Sequence, residues 1–219
     1  MGHEILQALP YMLQGVFYTL GITAIALGVG LVIGMVLALM RVYGGKAAQI
    51  FSATYVVVLR GFPSLVVLFI IYFMLARFIN LPPFLAGCVA LGVCSSAYQA
   101  EIFRGAIQGV APGQMMAARA LGMTRTQAII HIIMPQALRN AIPAWSNEAA
   151  VVVKDSSLVY AVGLAELLRR SQQVAARLRA PLLVFTVTAL IYFLLTFSVN
   201  RLLDWVEKVT RIPEITEAR

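Results

Sequence analysis

The sequence predicts an all-α integral membrane protein with five transmembrane helices, and three observations carry that prediction. Of 219 residues, 61% are hydrophobic and 12% charged, with a mean hydropathy of +0.87. A soluble domain carries about 25% charged residues, and a disordered chain needs low hydrophobicity, so both classes are excluded. The second observation is a set of long runs without charge, bounded by Glu4 and Arg41, Arg60 and Arg77, Arg77 and Glu101, and Arg179 and Arg201. The third is the placement of Lys and Arg. The net charge of +8 reads as basic loops beside anionic headgroups rather than as a nucleic-acid surface.

A span needs about 20 apolar residues for a ~30 Å hydrocarbon core. The first falls within 12–40 and contains Gly30 and Gly34 in a G-x-x-x-G pattern, which suits close helix approach. The second covers 52–80 and is expected to bend at Pro63. The third covers 82–104 and is rich in small residues: Ala86, Gly87, Ala90, Gly92, Ser95, Ser96 and Ala97. Cys88 and Cys94 lie in that run, too poorly opposed to pair, and read as small buried hydrophobes. The fourth, over 137–160, carries Glu148, Lys154 and Asp155; the fifth covers 181–203. The opening MGHEILQALP has neither a basic start nor a small-residue cleavage site, so no removable leader is expected. All of 1–219 reads as one membrane domain.

Orientation follows from short basic loops. Arg41 and Lys46, then Arg104 to Arg139, then Lys208, Arg211 and Arg219 fall on one side of a five-span chain. That side is expected to be cytoplasmic, with the N-terminus outside and the C-terminus inside. The exception is 163–179. There Leu164, Leu167, Leu168, Val174, Ala175 and Leu178 recur at helical spacing, with Arg169, Arg170, Arg177 and Arg179 on the remaining positions. This predicts an outward amphipathic helix, held by lipid headgroups or presented to an extracytoplasmic partner.

Residues 109–136 form a polar loop with internal structure. Pro112 suits the first turn of a helix, and Gly122 suits the left-handed residue that ends it. Thr124 with Gln127 fits a capping box for a second helix, TQAIIHIIM, which Pro135 is expected to terminate. The two short helices are expected to lie along the inner side of the membrane, where Met115, Met116, Ile129 and Ile133 would suit an apolar groove on a partner. A reentrant or interfacial hairpin without a partner is the other reading.

On these residues the loop resembles the conserved cytoplasmic loop of membrane subunits of ATP-binding-cassette importers. The family pattern of Glu-Ala-Ala, three residues, Gly, nine residues and Ile-x-Leu-Pro lands on Met116-Ala117-Ala118, Gly122 and Ile132-Ile133-Met134-Pro135. Met116 stands where the family has Glu and Met134 where it has Leu. Further motifs resemble the polar amino-acid permease branch (the histidine, glutamine, glutamate and arginine type): Arg60-Gly61-Phe62-Pro63; Tyr98, Glu101, Arg104 and Gly105; Gly113-Gln114; Pro135-Gln136-Ala137; Pro143; Asn147-Glu148; and Lys154-Asp155-Ser156-Ser157-Leu158. Together they cover residues 12–205.

The resemblance implies a type I importer permease fold with a cytoplasmic two-helix coupling loop, used as a dimer of identical or paralogous membrane subunits in a bacterial inner membrane. It implies two ATPase subunits, which hold the ATP and magnesium, and an extracytoplasmic solute-binding protein. This chain would need no cofactor or metal of its own and would bind no nucleic acid. Gly113, Gln114, Met116, Ala117, Ala118, Gly122, Ile132 and Pro135 would seat the loop on the ATPase. Arg169, Arg170, Arg177 and Arg179 would receive the binding protein. Asn147, Glu148, Lys154, Asp155, Ser156 and Ser157 would line the solute path, since polar groups at that depth are costly enough to be functional by default. Lys154 and Asp155 would alternatively snorkel to the interface. Glu101 and Arg104, three apart, suit a structural ion pair.

Enzyme chemistry finds few parts. His3 and His131 are the only histidines, and neither H-E-x-x-H nor G-x-S-x-G occurs. Gly44-Gly45-Lys46-Ala47 lacks the Walker A glycine at Met40 and the hydroxyl residue at Ala47, so ATP would be hydrolysed by another subunit. The competing class is an oligomeric secondary transporter or channel that does not use ATP.

Overall fold

The computed structural model describes residues 2–76 and 78–210. Arg77, Arg211 and Arg219, which delimit charge-free runs or mark a basic tail, lie outside the described residues. The described chain is helical throughout: α1 (Gly2–Tyr43), α2 (Lys46–Gly61), α3 (Ser64–Ala76), α4 (Pro83–Gln108), α5 (Pro112–Ala120), α6 (Arg125–Ala128), α7 (Met134–Asp155), α8 (Leu167–Leu178) and α9 (Pro181–Thr210). Among the described residues α1, α4 and α9 are long and apolar enough to cross a membrane, and α2 with α3 passes that test as a pair.

One sequence expectation is met and one is corrected. The bend expected at Pro63 is present and sharp: α2 and α3 meet at 102°. Phe62 is extended, at φ −98° and ψ 140°, because the ring of Pro63 disfavours a helical residue before it. Pro135 does not end the second coupling helix. Residues Ile129–Ile133 widen into a π-helical turn in which the Met134 amide bonds to the Ile129 carbonyl. That turn sets Pro135 in the first turn of α7, where its missing N–H costs little. The coupling loop therefore runs without a break into α7.

α1 and α4 form the central seam. A Cβ on Gly34 would lie 2.9 Å from Gln99 Cβ and 3.0 Å from the Ala100 amide and Ser96 carbonyl; one on Gly92 would lie 2.9 Å from Val29 Cγ1. Ala86, Ala90, Ser96 and Ala97 are fully buried on the same helix, and Cys88 and Cys94 are free and buried. Without a hydrophobic effect between spans, small residues permit the backbone approach that dispersion requires. Ile22, Ala26 and Leu27 of α1, Leu91 of α4 and Ala149 and Val152 of α7 complete this core.

Beyond α7 a 3₁₀ segment, Ser156–Val162, ends at Gly163, whose φ of 92° is left-handed. Glu166 caps α8, accepting from the amides of Leu168 at 2.8 Å and Arg169 at 2.7 Å, and its carboxylate also accepts from the Tyr192 hydroxyl of α9 at 2.9 Å. Gly15 of α1 lies flush on this cap, where a Cβ would sit 2.6 Å from Leu167 Cα. Leu167, Val174 and Ala175 are buried beneath α8 as their spacing predicts.

Candidate functional site

Three elements bring polar side chains to one face of the bundle. The break at Pro63 ends α2 at Arg60 and Gly61 and starts α3 at Ser64. α4 supplies Ser95, Tyr98 and Glu101, and α7 supplies Asn147, Glu148 and Asp155. A cleft of about 340 Å³ is bordered by Arg60, Tyr98, Glu101, Asn147 and Glu148. A smaller space of about 50 Å³ continues from it past Ser95 and Glu148 to Ser64 and Asp155. The two share Tyr98, Glu148 and Val151.

Charges of both signs meet here. The Arg60 guanidinium lies 5.0 Å from the Tyr98 ring centroid, a cation–π contact. Glu148 is buried and accepts from Ser95 Oγ at 2.7 Å. Asp155 accepts a long hydrogen bond from Ser64 Oγ at 3.5 Å. The cleft thus holds one cation, Arg60, together with the carboxylates of Glu101 and Glu148, while Asp155 borders the adjoining space, so groups of both signs are available to a small molecule bearing both charges. Tyr98 is 40% exposed and Asn147 is exposed, so the single chain leaves this face uncovered.

Sequence reasoning missed the residue that holds the site together. Gln99 is fully buried; its Nε2 donates to the Leu27 carbonyl at 3.2 Å and to Ser95 Oγ at 3.0 Å, and its Oε1 accepts from Trp145 Nε1 at 2.8 Å. Ser95 passes the connection to Glu148, so one network ties α1, α4 and α7. The available signal was a long polar side chain four residues after Ser95 in an otherwise apolar run. Arg60, Ser64 and Tyr98 also belong to the cleft, and only motif resemblance had pointed to two of them.

The six path residues separate. Asn147, Glu148 and Asp155 border the polar cleft. Ser156 and Ser157 donate to the carbonyls of Val153 and Lys154, each at 2.7 Å, and so close the end of α7. Lys154 and Ser157 border a different groove, with Leu168 of α8 and Phe185 and Tyr192 of α9. Glu101 and Arg104 form the i,i+3 ion pair, with 2.6 Å between Arg104 Nη2 and the carboxylate.

In the coupling loop, the amides of Gly122 and Met123 bond to the carbonyls of Arg119 and Ala118, and Gly122 has φ 83°, the Schellman ending of a helix. Thr124 and Gln127 make the reciprocal capping box. Gly113, Gln114, Met116, Ala117, Gly122 and Pro135 are exposed, Ile132 is half-buried and Ala118 is buried. Of the apolar residues expected to face a partner, Ile133 is instead in this chain's own core, and Met115 and Ile129 are half-buried. Met116 stays 67% exposed, joined by Leu121 at 84% and Ile130 at 55%. Arg125 lies 5.6 Å over the Tyr43 ring and ties the loop to the end of α1.

At the opposite end, a groove of about 710 Å³ separates the first turns of α1 from α8 and is bordered by Gln7, Tyr11, Gln173 and Arg177. Arg170 is committed to α1: it lies 4.6 Å over the Tyr11 ring and donates to the Tyr11 carbonyl and to Gln14 Oε1. Arg169 is half-buried; Arg177 and Arg179 are exposed.

Residues 30–212 match the family of binding-protein-dependent transport system inner membrane components. The chain is 34% identical over 208 residues to the glutamine transport system permease protein GlnP of Escherichia coli (strain K12), covering 94% of this chain and 95% of that protein. It is 36% identical over 197 residues to the probable glutamine ABC transporter permease protein GlnM of Bacillus subtilis (strain 168), covering 90% and 91%. Among solved structures, that of an amino acid ABC transporter with histidines superposes with a TM-score of 0.84 at 38% identity, covering 93% of this chain and 96% of that one.

Proposed function

The chain belongs to the family of binding-protein-dependent transport system inner membrane components, its relatives are permease subunits of ABC amino-acid importers, and from that premise we propose that it carries a polar amino acid into the cytoplasm, powered by a separate ATPase. The observation that carries this reading is the polar cleft. Arg60 suits an α-carboxylate, and Glu148 and Asp155 suit an α-ammonium, with Asn147 and Tyr98 lining the same cleft. Such a face is costly against lipid. A second membrane subunit, identical or paralogous, covers it, and the solute passes between the two.

The chain crosses the membrane five times, with α2–α3 as a broken span and α7 as a polar one; its N-terminus is outside and its C-terminus cytoplasmic. An extracytoplasmic binding protein delivers the solute to the end bearing α8, where Arg177 and Arg179 are exposed to meet an acidic face beside Arg169, and Arg170 holds the helix against α1. α5 and α6 seat on the ATPase through Gln114, Met116, Leu121 and Ile130. ATP and magnesium are held by that subunit. Its closure draws two coupling loops together and switches the spans between inward-open and outward-open packings. Because α6 continues through the π-helical turn into α7, a displacement of the loop is delivered to the helix that bears Asn147, Glu148 and Asp155.

The test is ATP hydrolysis by the permease–ATPase complex in liposomes, with the binding protein and a panel of amino acids. Stimulation by one class of polar amino acid supports the reading. Uptake that proceeds without ATP points to a secondary transporter or channel instead.

A further inference from the structure

The groove between the end of α7, α8 and α9 has no role in the proposed import. It measures about 340 Å³ and is bordered by Lys154, Ser157, Leu168, Phe185, Ala189 and Tyr192. Its polar groups are nearly all spent. The Ser157 hydroxyl donates to the Lys154 carbonyl, Thr188 to the Val184 carbonyl and Tyr192 to Glu166. What remains is an apolar trough with one ammonium at its edge. Lys154 is exposed, and among the described residues no carboxylate lies within ion-pair distance of it. Its neighbour Asp155 is turned to Ser64 on the other side of α7.

The surroundings say what fits there. The most apolar stretch of α9 is only 11% buried, so Phe185 and Ala189 stand on an apolar face that this chain leaves open. α8 carries Arg169, Arg170 and Arg177, and the acid that caps it, Glu166, is fully buried, so no exposed carboxylate on α8 competes for a phosphate. A cation above an apolar trough between membrane helices is complementary to a molecule with an anionic head and a hydrocarbon tail.

We infer that this groove is a binding site for an anionic phospholipid, with Lys154 on the phosphate and one acyl chain lying along Leu168, Phe185 and Ala189. The lipid wedges α8 against α9 and so secures the helix that receives the binding protein. Lys154 is thereby a lipid contact and not a solute contact.

The experiment uses the permease–ATPase complex, stripped of lipid in detergent and offered phosphatidylglycerol or phosphatidylcholine, with bound lipid counted by native mass spectrometry. Wild type is expected to retain phosphatidylglycerol in preference. Lys154→Gln is expected to lose about fivefold of that preference, the usual worth of one basic residue beside an anionic lipid. Lys154→Arg should keep it, and Ala189→Phe, which fills the trough, should lower retention of both lipids. Inorganic phosphate should not displace the lipid, because it lacks the tail. An unchanged preference in Lys154→Gln overturns the site, as does full displacement by inorganic phosphate. Crosslinking of a second copy across Phe185 and Ala189 would equally overturn it. If Lys154→Gln abolishes amino-acid stimulation of ATP hydrolysis while lipid preference stands, Lys154 belongs to the solute path. Loss of the import reading alone, with lipid preference intact, leaves the lipid site standing.

Discussion

The helical segments at the two ends of the bundle, α8 and the α5–α6 pair, look alike in sequence. Both are short, amphipathic and basic. In the structure they are opposites. α8 is stitched down: Glu166 is buried beneath three hydrogen-bond donors, Gly15 presses on the Leu167 backbone, and Arg170 folds back onto Tyr11. The coupling pair is held at the start of α6, by the Arg125–Tyr43 contact, and at its end, by the run into α7, while Met116, Leu121 and Ile130 stand out. The difference teaches that amphipathicity alone does not say where an apolar face goes. α8 spends its face on its own chain, while α5 and α6 leave Met116, Leu121 and Ile130 exposed, as the proposed docking on an ATPase requires.

Glycine substitutions break this comparison most severely. Gly15→Val puts a side chain into the Leu167 backbone, which cannot retreat as a flexible side chain would. Overpacking of this kind costs about 1–3 kcal/mol or more. The expected result is a large loss of monodisperse protein and a lowered Tm on size exclusion and thermal unfolding. Gly122 has nothing within 4 Å of its would-be Cβ, so only its φ of 83° matters. Gly122→Ala should cost ~1–2 kcal/mol locally. Gly122→Pro, which cannot reach positive φ, should abolish uptake while the circular dichroism of the inserted protein is kept.

Glu166 gives a smaller, pH-dependent effect. Burial pushes its carboxyl above the usual range, and the amides of Leu168 and Arg169 and the Tyr192 hydroxyl pull it part of the way back. A carboxyl raised in the folded state contributes stability that is present below its unfolded pKa and is lost as pH rises through its folded pKa. The thermal stability of wild type should therefore fall with rising pH across and just above the ordinary carboxylate range. Glu166→Gln should flatten that slope, at the expense of ~1 kcal/mol for a poorer cap. A slope identical in the two proteins would show that Glu166 does not titrate differently on folding.

Met116→Glu is the mildest change. At an exposed helical site it should alter stability by no more than ~0.5 kcal/mol. Because it restores the residue of the loop pattern that the sequence resembles, copurification of the ATPase is expected to persist. Release of the ATPase would instead mark an apolar pocket that rejects an unpaired charge.

Local chemistry was legible in the sequence and long-range contact was not. The capping box at Thr124, the left-handed Gly122, the break at Pro63 and the Glu101–Arg104 pair each depend on residues within a few positions. The π-helical turn before Pro135 was missed because a proline admits two outcomes, a helix end or a locally widened ladder, and packing of Ile133 and Ala137 in the core decides between them. Gln99 and Glu166 were missed for a different reason. Their partners, Leu27 and Trp145 for one and Tyr192 for the other, are distant in sequence and meet only when α1, α4, α7 and α9 have packed. The split of Lys154 from Asp155 is of the same kind: adjacent residues on α7 point to different neighbours.

The central claim is that the cleft between Arg60 and Glu148 is the solute path and is driven from the coupling loop. It is tested most directly by amino-acid uptake into liposomes bearing the complex, with ATP and binding protein supplied, for Glu148→Gln beside wild type. Replacing a buried carboxylate by its neutral isostere removes the charge but keeps the hydrogen bond from Ser95. The account predicts that uptake falls by ~tenfold or more, the ~1.4 kcal/mol or greater expected of a charge-assisted contact, while ATPase copurification and basal hydrolysis are retained. Uptake at the wild-type rate would contradict it.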